Sequence, residues 1–305
     1  MKNKGHIYRD LILESDEGLT VAAFYSHHYT HSTLETWRQR IDARQVLING
    51  RPASPKDTLS RGDHLLYYRL PWEEPDAPVD FETLFEDGDV LVLAKPSGLP
   101  VLPGGFFLEN TLLYLARQRY GAGCSPIHRL GRGTSGAILF TRSARAARLL
   151  TIAMKERRIR KVYLALASGT AMPDAFTVDA PIGPVPYRRP ETVHAYDPDG
   201  RPSVSHVRVI RRIPAEKVSL LEVTIPTGRP HQIRIHLSFA GFPLAGDPLY
   251  EIGGIPRADH MDDEWAATPG DCGYFLHSWK IRFPHPDRGQ DVEVVCPPPR
   301  ALDPG

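Results

Sequence analysis

The stretch Pro71–Asp80, PWEEPDAPVD, constrains this chain more than any other. It carries three prolines and four acids with almost nothing apolar. Proline lacks the backbone N–H that helices and sheets need, and such a composition cannot build a core. The stretch is therefore expected to be a linker, 71–80, between a small N-terminal module, 1–70, and a larger domain, 81–300, followed by a short tail, 301–305. About 220 residues suffice for one substantial core, and about 70 fold alone only if they are well packed.

Composition narrows the class. A 41% hydrophobic and 24% charged chain of 305 residues is neither disordered nor membrane-embedded. No apolar run approaches the roughly 18 residues of a spanning helix. The N-terminus MKNKGHIYRDLILESDEG has no apolar stretch of the kind that marks a secretory signal. The three cysteines, Cys124, Cys272 and Cys296, are widely spaced with no CxxC pair. That spacing speaks against a zinc ribbon or a disulfide framework and suits a reducing cytoplasm. With 37 basic and 36 acidic residues the net charge is +1, so any nucleic-acid signal must come from local clustering.

In the first module, Ser32-Thr33-Leu34-Glu35 has the spacing of a capping box, with Ser32 as N-cap and Glu35 at N3. The helix that follows places Leu34, Trp37 and Ile41 on one face and turns Arg38, Arg40 and Arg44 mostly to solvent. QVLINGRPA alternates Val46 and Ile48 into the hairpin signal Asn49-Gly50. The segment HLLYYRL reads as a further strand. This order of elements resembles the S4-type RNA-binding domain. The resemblance implies contacts to RNA backbone through Arg38, Arg40 and Arg44.

The larger domain opens with FEDGDVLVLAKPSGLPV, where Asp87-Gly88 is a turn and Val90–Ala94 a buried strand ending at Lys95-Pro96. Helical spacing runs from about Asn110 to Tyr120. Ala137–Thr141 is a short strand, and Ser143 can cap a helix reaching about Arg157. In KVYLALA, Val162, Leu164 and Leu166 alternate with Tyr163, Ala165 and Ala167. Strands outnumber helices beyond that point, which predicts an α+β fold with a largely antiparallel mixed sheet. The acidic insert ADHMDDEWAATPGDC reads as a surface loop.

Several patterns carry possible chemistry. Residues Gly131–Gly136 spell GxGxxG, but the fingerprint of a dinucleotide site needs a helix directly after it, and an apolar β-like run follows here. His231 and His236 are five residues apart, on opposite sides of a strand or well over 100° apart around a helix. Neither arrangement converges on one metal ion, and no metal site is expected. From Arg142 to Lys161, eight basic residues face the single acid Glu156. Such runs are usually solvated faces. This one unbalances a nearly neutral protein, so Arg145, Arg148, Arg158 and Lys161 are candidates for tracking RNA phosphates.

HRLGRGTSG at His128–Gly136, KVYLAL at Lys161–Leu166, and TGRPHQIRIHLSFAGFPLAGDPLY at Thr227–Tyr250 resemble the successive motifs of the RluA-type pseudouridine synthases. FEDGDVLVLAKPSGLPV resembles that family's opening strand and LHSWKIRFPHP its closing motif. The resemblance implies the pseudouridine synthase fold preceded by the S4-like module. It also implies isomerisation of uridine to pseudouridine in RNA with no cofactor. Ribosomal or transfer RNA is the expected target, at a single-stranded loop because its bases splay cheaply, and no membrane and no obligate protein partner are expected. By the same likeness Arg129 supports the position vacated by the flipped nucleotide, Tyr163 lies against the uracil and can transfer a proton, and Arg234 pairs with the catalytic carboxylate. That carboxylate is the Asp of the family's HRLD motif, and its position here is Gly131. Arg132 and Gly133 supply no acid either.

Glycine offers neither a nucleophile nor a partner for Arg234. A buried Arg needs a counter-charge, and Asp197, Asp199, Glu222 and Asp247 are the acids available. Two functions follow. One is an active synthase whose carboxylate comes from elsewhere or which tolerates the gap as a subgroup property, and Gly131→Asp is expected to create or raise turnover if the site is otherwise complete. The other is a non-catalytic RNA-binding or RNA-chaperone relative.

Overall fold

The computed structural model describes residues 2–187, 192–257 and 268–305. Residues 258–267 of the acidic insert therefore lie outside the described residues. The chain divides into two compact units, Met1–Glu74 and Pro75–Gly305. The change of unit falls inside the proline-rich stretch, whose residues 75–80 have no helix or strand and are exposed except at Ala77. Glu74 is buried and accepts a 2.7 Å hydrogen bond from Asn3 Nδ2, while Trp72 lies 3.5 Å beneath the Arg69 guanidinium. On the other side, Ala77 and Phe81 pack against the core of the second unit.

The first unit comprises β1 His6–Leu11, α1 Val21–His28, α2 Leu34–Asp42, β2 Val46–Ile48, β3 Arg51–Pro52 and β4 His64–Arg69. Its strands form an antiparallel sheet in the order β1-β4-β2-β3. Asn49 and Gly50 both take positive φ, as the tight turn between β2 and β3 requires. The capping box is displaced by one residue. Thr33, not Ser32, accepts the bond from the Thr36 N–H, and Ser32 Oγ instead accepts from Arg40. Trp37 and Ile41 enter the core as expected, whereas Leu34 is 39% exposed. Trp37 stacks on Tyr25 and carries the Arg40 guanidinium 4.6 Å above its ring.

The second unit contains β5 Glu82–Glu86, β6 Val90–Lys95, α3 Leu112–Tyr120, β7 Ser125–Pro126, β8 Ser135–Thr141, α4 Ala144–Lys155 and β9 Arg160–Ser168. It continues with β10 Ala175–Asp179, β11 Ile182–Pro186, β12 Thr192–Tyr196, β13 Val204–Ile213, β14 Val218–Thr224, α5 Gln232–Phe239, β15 Tyr250–Glu251, β16 Ile255–Pro256, β17 Leu276–Pro284 and β18 Asp291–Val295. The main sheet runs β10-β13-β14-β9-β17-β8-β6-β5, with β18 on β17 and β7 on β8. Its β17–β8 pair is parallel and its other pairs are antiparallel. This is the mixed, largely antiparallel α+β sheet that the strand-rich sequence predicts.

The central strands are buried on both faces, which explains their continuous apolar runs. Leu91, Leu93, Ile138, Phe140, Tyr163 and Ala165 share one core, and Val90, Val92, Ala137 and Leu139 share another. The alternation in KVYLALA thus sends Tyr163 to the first of these cores, together with Leu130, Ile225, Ile233, Tyr274 and Leu276. Gly136 stands where β8 meets β17. A Cβ there would lie 2.3 Å from Ser278 O, and φ is +109°, so only glycine fits. A strand follows Gly131–Gly136 and α4 begins only at Ala144, which is not the phosphate-binding turn of a dinucleotide fold. Among the described residues no helix is long and apolar enough to cross a membrane.

Candidate active site

An open cleft of about 440 Å3, counting space continuous with solvent, lies on the Tyr163 face of the sheet. Its lining comes from the HRLGRGTSG loop (Arg129, Leu130, Gly131, Thr134), from Tyr163 on β9, from the end of β14 and the start of α5, and from Tyr274 and Leu276. The three residues singled out by the family likeness, Arg129, Tyr163 and Arg234, are thereby brought to one cavity.

The HRLGRGTSG loop is fastened from below. Lys95, buried at the end of β6, donates from Nζ to the carbonyls of Pro96 (2.8 Å), Leu99 (2.7 Å) and Arg132 (3.0 Å). Burial pushes Lys95 down to about 7, while three carbonyl acceptors call for all three N–H donors of the ammonium form. Ser97 Oγ donates to Gly133 O, and Gly98 N–H to Arg132 O. His128 is held neutral, because its Nε2 accepts the Leu139 N–H and burial pushes it down to about 3. Arg132 is directed to Gly270 O and Asp271 and does not line the cleft.

The TGRPHQ segment is fastened by Gln232. Its side chain accepts from Thr227 Oγ1 and the Arg229 N–H and donates to Val204 O and Ser205 Oγ. His231 takes a left-handed conformation as the N-cap of α5 and bonds Tyr250 Oη through Nδ1. Tyr250 gives its own proton to His194 O, so His231 Nδ1 is the donor. Burial pushes His231 down to about 3. His236 bonds Ser205 and Ala180 O instead, so the two histidines belong to separate networks.

Arg234 is 2% exposed on α5, and its counter-charge is Asp247. Nε and Nη2 meet the two carboxylate oxygens at 2.7 Å each, and Asp247 also accepts the Leu249 and Tyr250 N–H groups. Burial opposes the guanidinium charge, and Asp247 more than restores it, holding Arg234 above its usual range. The guanidinium faces Tyr274 at 4.2 Å and Tyr250 at 5.0 Å. Of the four acids open to it in the sequence, Glu222 pairs with Arg208, and Asp197 accepts the Asp199 N–H. With Asp247 occupying it edge-on, Arg234 is not left waiting for a carboxylate from position 131.

Tyr163 is 5% exposed, and burial pushes its phenol upward, with Ser278 offsetting part of the effect. It therefore enters the cleft as a proton donor rather than as a phenolate. Arg129 is exposed. Arg229 lines the cleft with a buried Nε that has no hydrogen-bond partner among the described residues. Three guanidinium groups thus line the cleft, and among the described residues no Asp or Glu does.

The remaining candidates are dispersed. Arg38 and Arg44 are exposed, Arg38 within 3.9 Å of Glu35, and Arg40 is half-buried on Trp37 rather than turned to solvent. Arg145 pairs with Asp287 and Asp89, and Arg158 with Glu156, while Arg148 is exposed. Lys161 departs from its expected surface position. It is 5% exposed, with Nζ 3.9 Å from Met154 Sδ, because β9 turns it inward with Tyr163.

Lys95, Arg229, Tyr274 and the Asp247 partnership are absent from the sequence reading. Lys95 left a signal there, as a lone charge closing an apolar strand, and Asp247 stood among the four acids available to Arg234.

Residues 89–239 match the profile of the RNA pseudouridylate synthase family. The chain is 38% identical to RNA pseudouridine synthase 5 of Arabidopsis thaliana, across 98% of this chain and 94% of that protein. It is 39% identical to an uncharacterized RNA pseudouridine synthase of Synechocystis sp., across 92% and 95%. Ribosomal large subunit pseudouridine synthase D of Neisseria meningitidis is 31% identical, across 89% and 72%. Among solved structures, human RNA Pseudouridylate Synthase Domain Containing 1 superposes with a TM-score of 0.55 at 25% identity, covering 76% of this chain and 89% of that one.

Proposed function

The chain belongs to the RNA pseudouridylate synthase family, in its RluA-type branch, and on that premise we propose that its cleft isomerises a uridine of ribosomal or transfer RNA to pseudouridine. The observation that carries the reading is the convergence of Arg129, Tyr163 and Arg234 on one cavity beside a fastened loop. The reaction breaks the bond from the sugar to N1 and forms one to C5. The proton lost from C5 is balanced by the one gained at N1, so no cofactor is consumed.

Extruding the base costs a few kcal/mol and is cheapest in a single-stranded loop, which favours such a target. Arg129, exposed at the loop, occupies the place the base leaves. Tyr163 lies against the uracil as a neutral phenol. The buried Arg229 Nε offers a donor that a nucleotide oxygen would satisfy. Arg234 supports the floor of the cleft through Asp247 and is a positioning residue.

The N-terminal unit is assigned as an S4-like RNA module, with Arg38 and Arg44 exposed for backbone contact and Arg40 bracing Trp37. Arg148 adds a phosphate contact from α4, with Arg145 and Arg158 available once they leave their surface acids. Unpaired Cys124, Cys272 and Cys296 fit a reducing cytoplasm.

One observation favours the non-catalytic RNA-binding alternative: the lack of any carboxylate lining the cleft among the described residues. Incubating the protein with RNA from a strain that lacks it, then mapping pseudouridine at nucleotide resolution, separates the two. New pseudouridine at defined uridines supports the synthase. RNA binding with no new site leaves the binder.

A further inference from the structure

The loop Leu130–Thr134 has no side chain at the two places where Tyr274 lies. A Cβ on Gly131 would stand 3.1 Å from Tyr274 Oη and 3.5 Å from Thr134 Oγ1. One on Gly133 would stand 2.9 Å from Tyr274 Cζ and 3.1 Å from Oη. Ordinary contacts of a Cβ lie at 3.4–4 Å, so a side chain at 133 would overlap the phenol ring, and one at 131 would need the Tyr274 hydroxyl to give by a few tenths of an ångström.

Tyr274 is held there from several sides. It is 5% exposed and lines the cleft two residues before β17 begins. Its ring faces the Arg234 guanidinium at 4.2 Å, and its hydroxyl is 3.3 Å from Thr134 Oγ1. Burial raises its pKa and Arg234 pulls it partly back, which leaves a protonated hydroxyl able to donate at neutral pH.

We propose that Tyr274 takes the place of the side chain absent at position 131, so that its hydroxyl, as a hydrogen-bond donor and not as a nucleophile, is the group this wall of the cleft presents to an oxygen of the bound uridine. The phenol stands against both glycines, most tightly at Gly133. The inference rests on reading the cleft as a uridine site. It also reverses the expectation for Gly131→Asp. A carboxylate at 131 does not complete an otherwise finished site, because it would have to share this wall with the Tyr274 hydroxyl, which must shift to admit it.

The test compares the full-length wild type with Tyr274→Phe, Gly131→Asp and the double variant Gly131→Asp/Tyr274→Ala. Turnover is measured on RNA from a strain lacking the protein. Separately, the ring signals of 13C-labelled tyrosine are followed by NMR as uridine 5′-monophosphate is added, with Tyr274→Phe assigning the Tyr274 peak. Tyr274→Phe is expected to keep its melting temperature and KM while kcat falls about 100-fold, the size of losing one positioned donor. Gly131→Asp should lower the melting temperature by roughly 2–12 °C through overpacking and gain no turnover. The double variant should recover the melting temperature, and the Tyr274 ring signal should move with nucleotide.

Turnover of Tyr274→Phe within about threefold of wild type, an unmoved ring signal at saturation, or faster turnover by an unperturbed Gly131→Asp would each overturn the proposal. A wild type that binds nucleotide and RNA but forms no pseudouridine refutes the enzymatic reading alone, and the ring signal then decides the role of Tyr274. Failure to bind either overturns both.

Discussion

Replacing Asp247 with alanine strips the Arg234 guanidinium of two 2.7 Å bonds in a place where the two side chains are 2% and 1% exposed. What remains is the carbonyl of Pro269 at 3.5 Å and the faces of two tyrosines. An uncompensated buried charge of this kind costs about 3–5 kcal/mol. The Leu249 and Tyr250 amides lose their acceptor as well, and about 1 kcal/mol for each brings the total to roughly 5–7 kcal/mol. That is comparable with the whole stability of an ordinary domain, about 5–15 kcal/mol. Native-state hydrogen exchange of the α5 amides, Gln232–Phe239, reads the loss in the unit concerned. Arg234→Leu in the same background removes the stranded charge, so Asp247→Ala/Arg234→Leu should be more stable than Asp247→Ala alone, with a coupling of at least about 2 kcal/mol. A loss below about 1 kcal/mol for Asp247→Ala, or strictly additive effects, would refute the claim that this pair carries the floor of the cleft.

Acid should destabilise the second unit through two half-buried histidines held neutral. His128 and His231 are both held near 3, below the ordinary 6.5, so the unfolded chain binds protons that the folded chain refuses. Their stabilisation is complete above pH 6.5 and falls by about 1.4 kcal/mol per pH unit for each histidine as pH drops toward 3. Urea midpoints between pH 6.5 and 4 check this, and a slope that His128→Gln leaves unchanged would contradict it. RNA affinity should fall with salt at a log–log slope of about −0.7 per phosphate contact, and Arg148→Gln should remove about one such contact. Filter binding at several salt concentrations measures it, and a flat profile contradicts it. Lys95→Met strands the carbonyls of Pro96, Leu99 and Arg132 and should cost roughly 3 kcal/mol in urea unfolding, with faster amide exchange across residues 130–134. Unchanged exchange there would show that the loop is held by other means.

Local features were legible in the sequence because their causes are local. Asn49-Gly50 announces a turn that needs two positive φ angles, Ser143 caps α4, and the KVYLALA alternation puts Tyr163 on the face where the cleft lies. The helix α5 was ambiguous between helix and strand, because every residue from Gln232 to Ser238 is buried and no polar face marks its period. What the sequence hid depends on distant pairs. Tyr274 meets Thr134 across 140 positions, and nothing near residue 274 announces glycines at 131 and 133. Lys161 belongs to a basic run by composition and to a buried strand face by register. Asp247 was one acid among four until folding placed it edge-on to Arg234.

The central claim is that this cleft takes up a uridine and moves its sugar bond from N1 to C5. That exchange expels the C5 hydrogen to solvent, so release of tritium from RNA labelled at uridine C5 measures it directly. The account predicts saturable release by the purified protein that stops at a fixed number of uridines per RNA and vanishes in Arg129→Ala. RNA bound at full occupancy with no release above the protein-free control would contradict it.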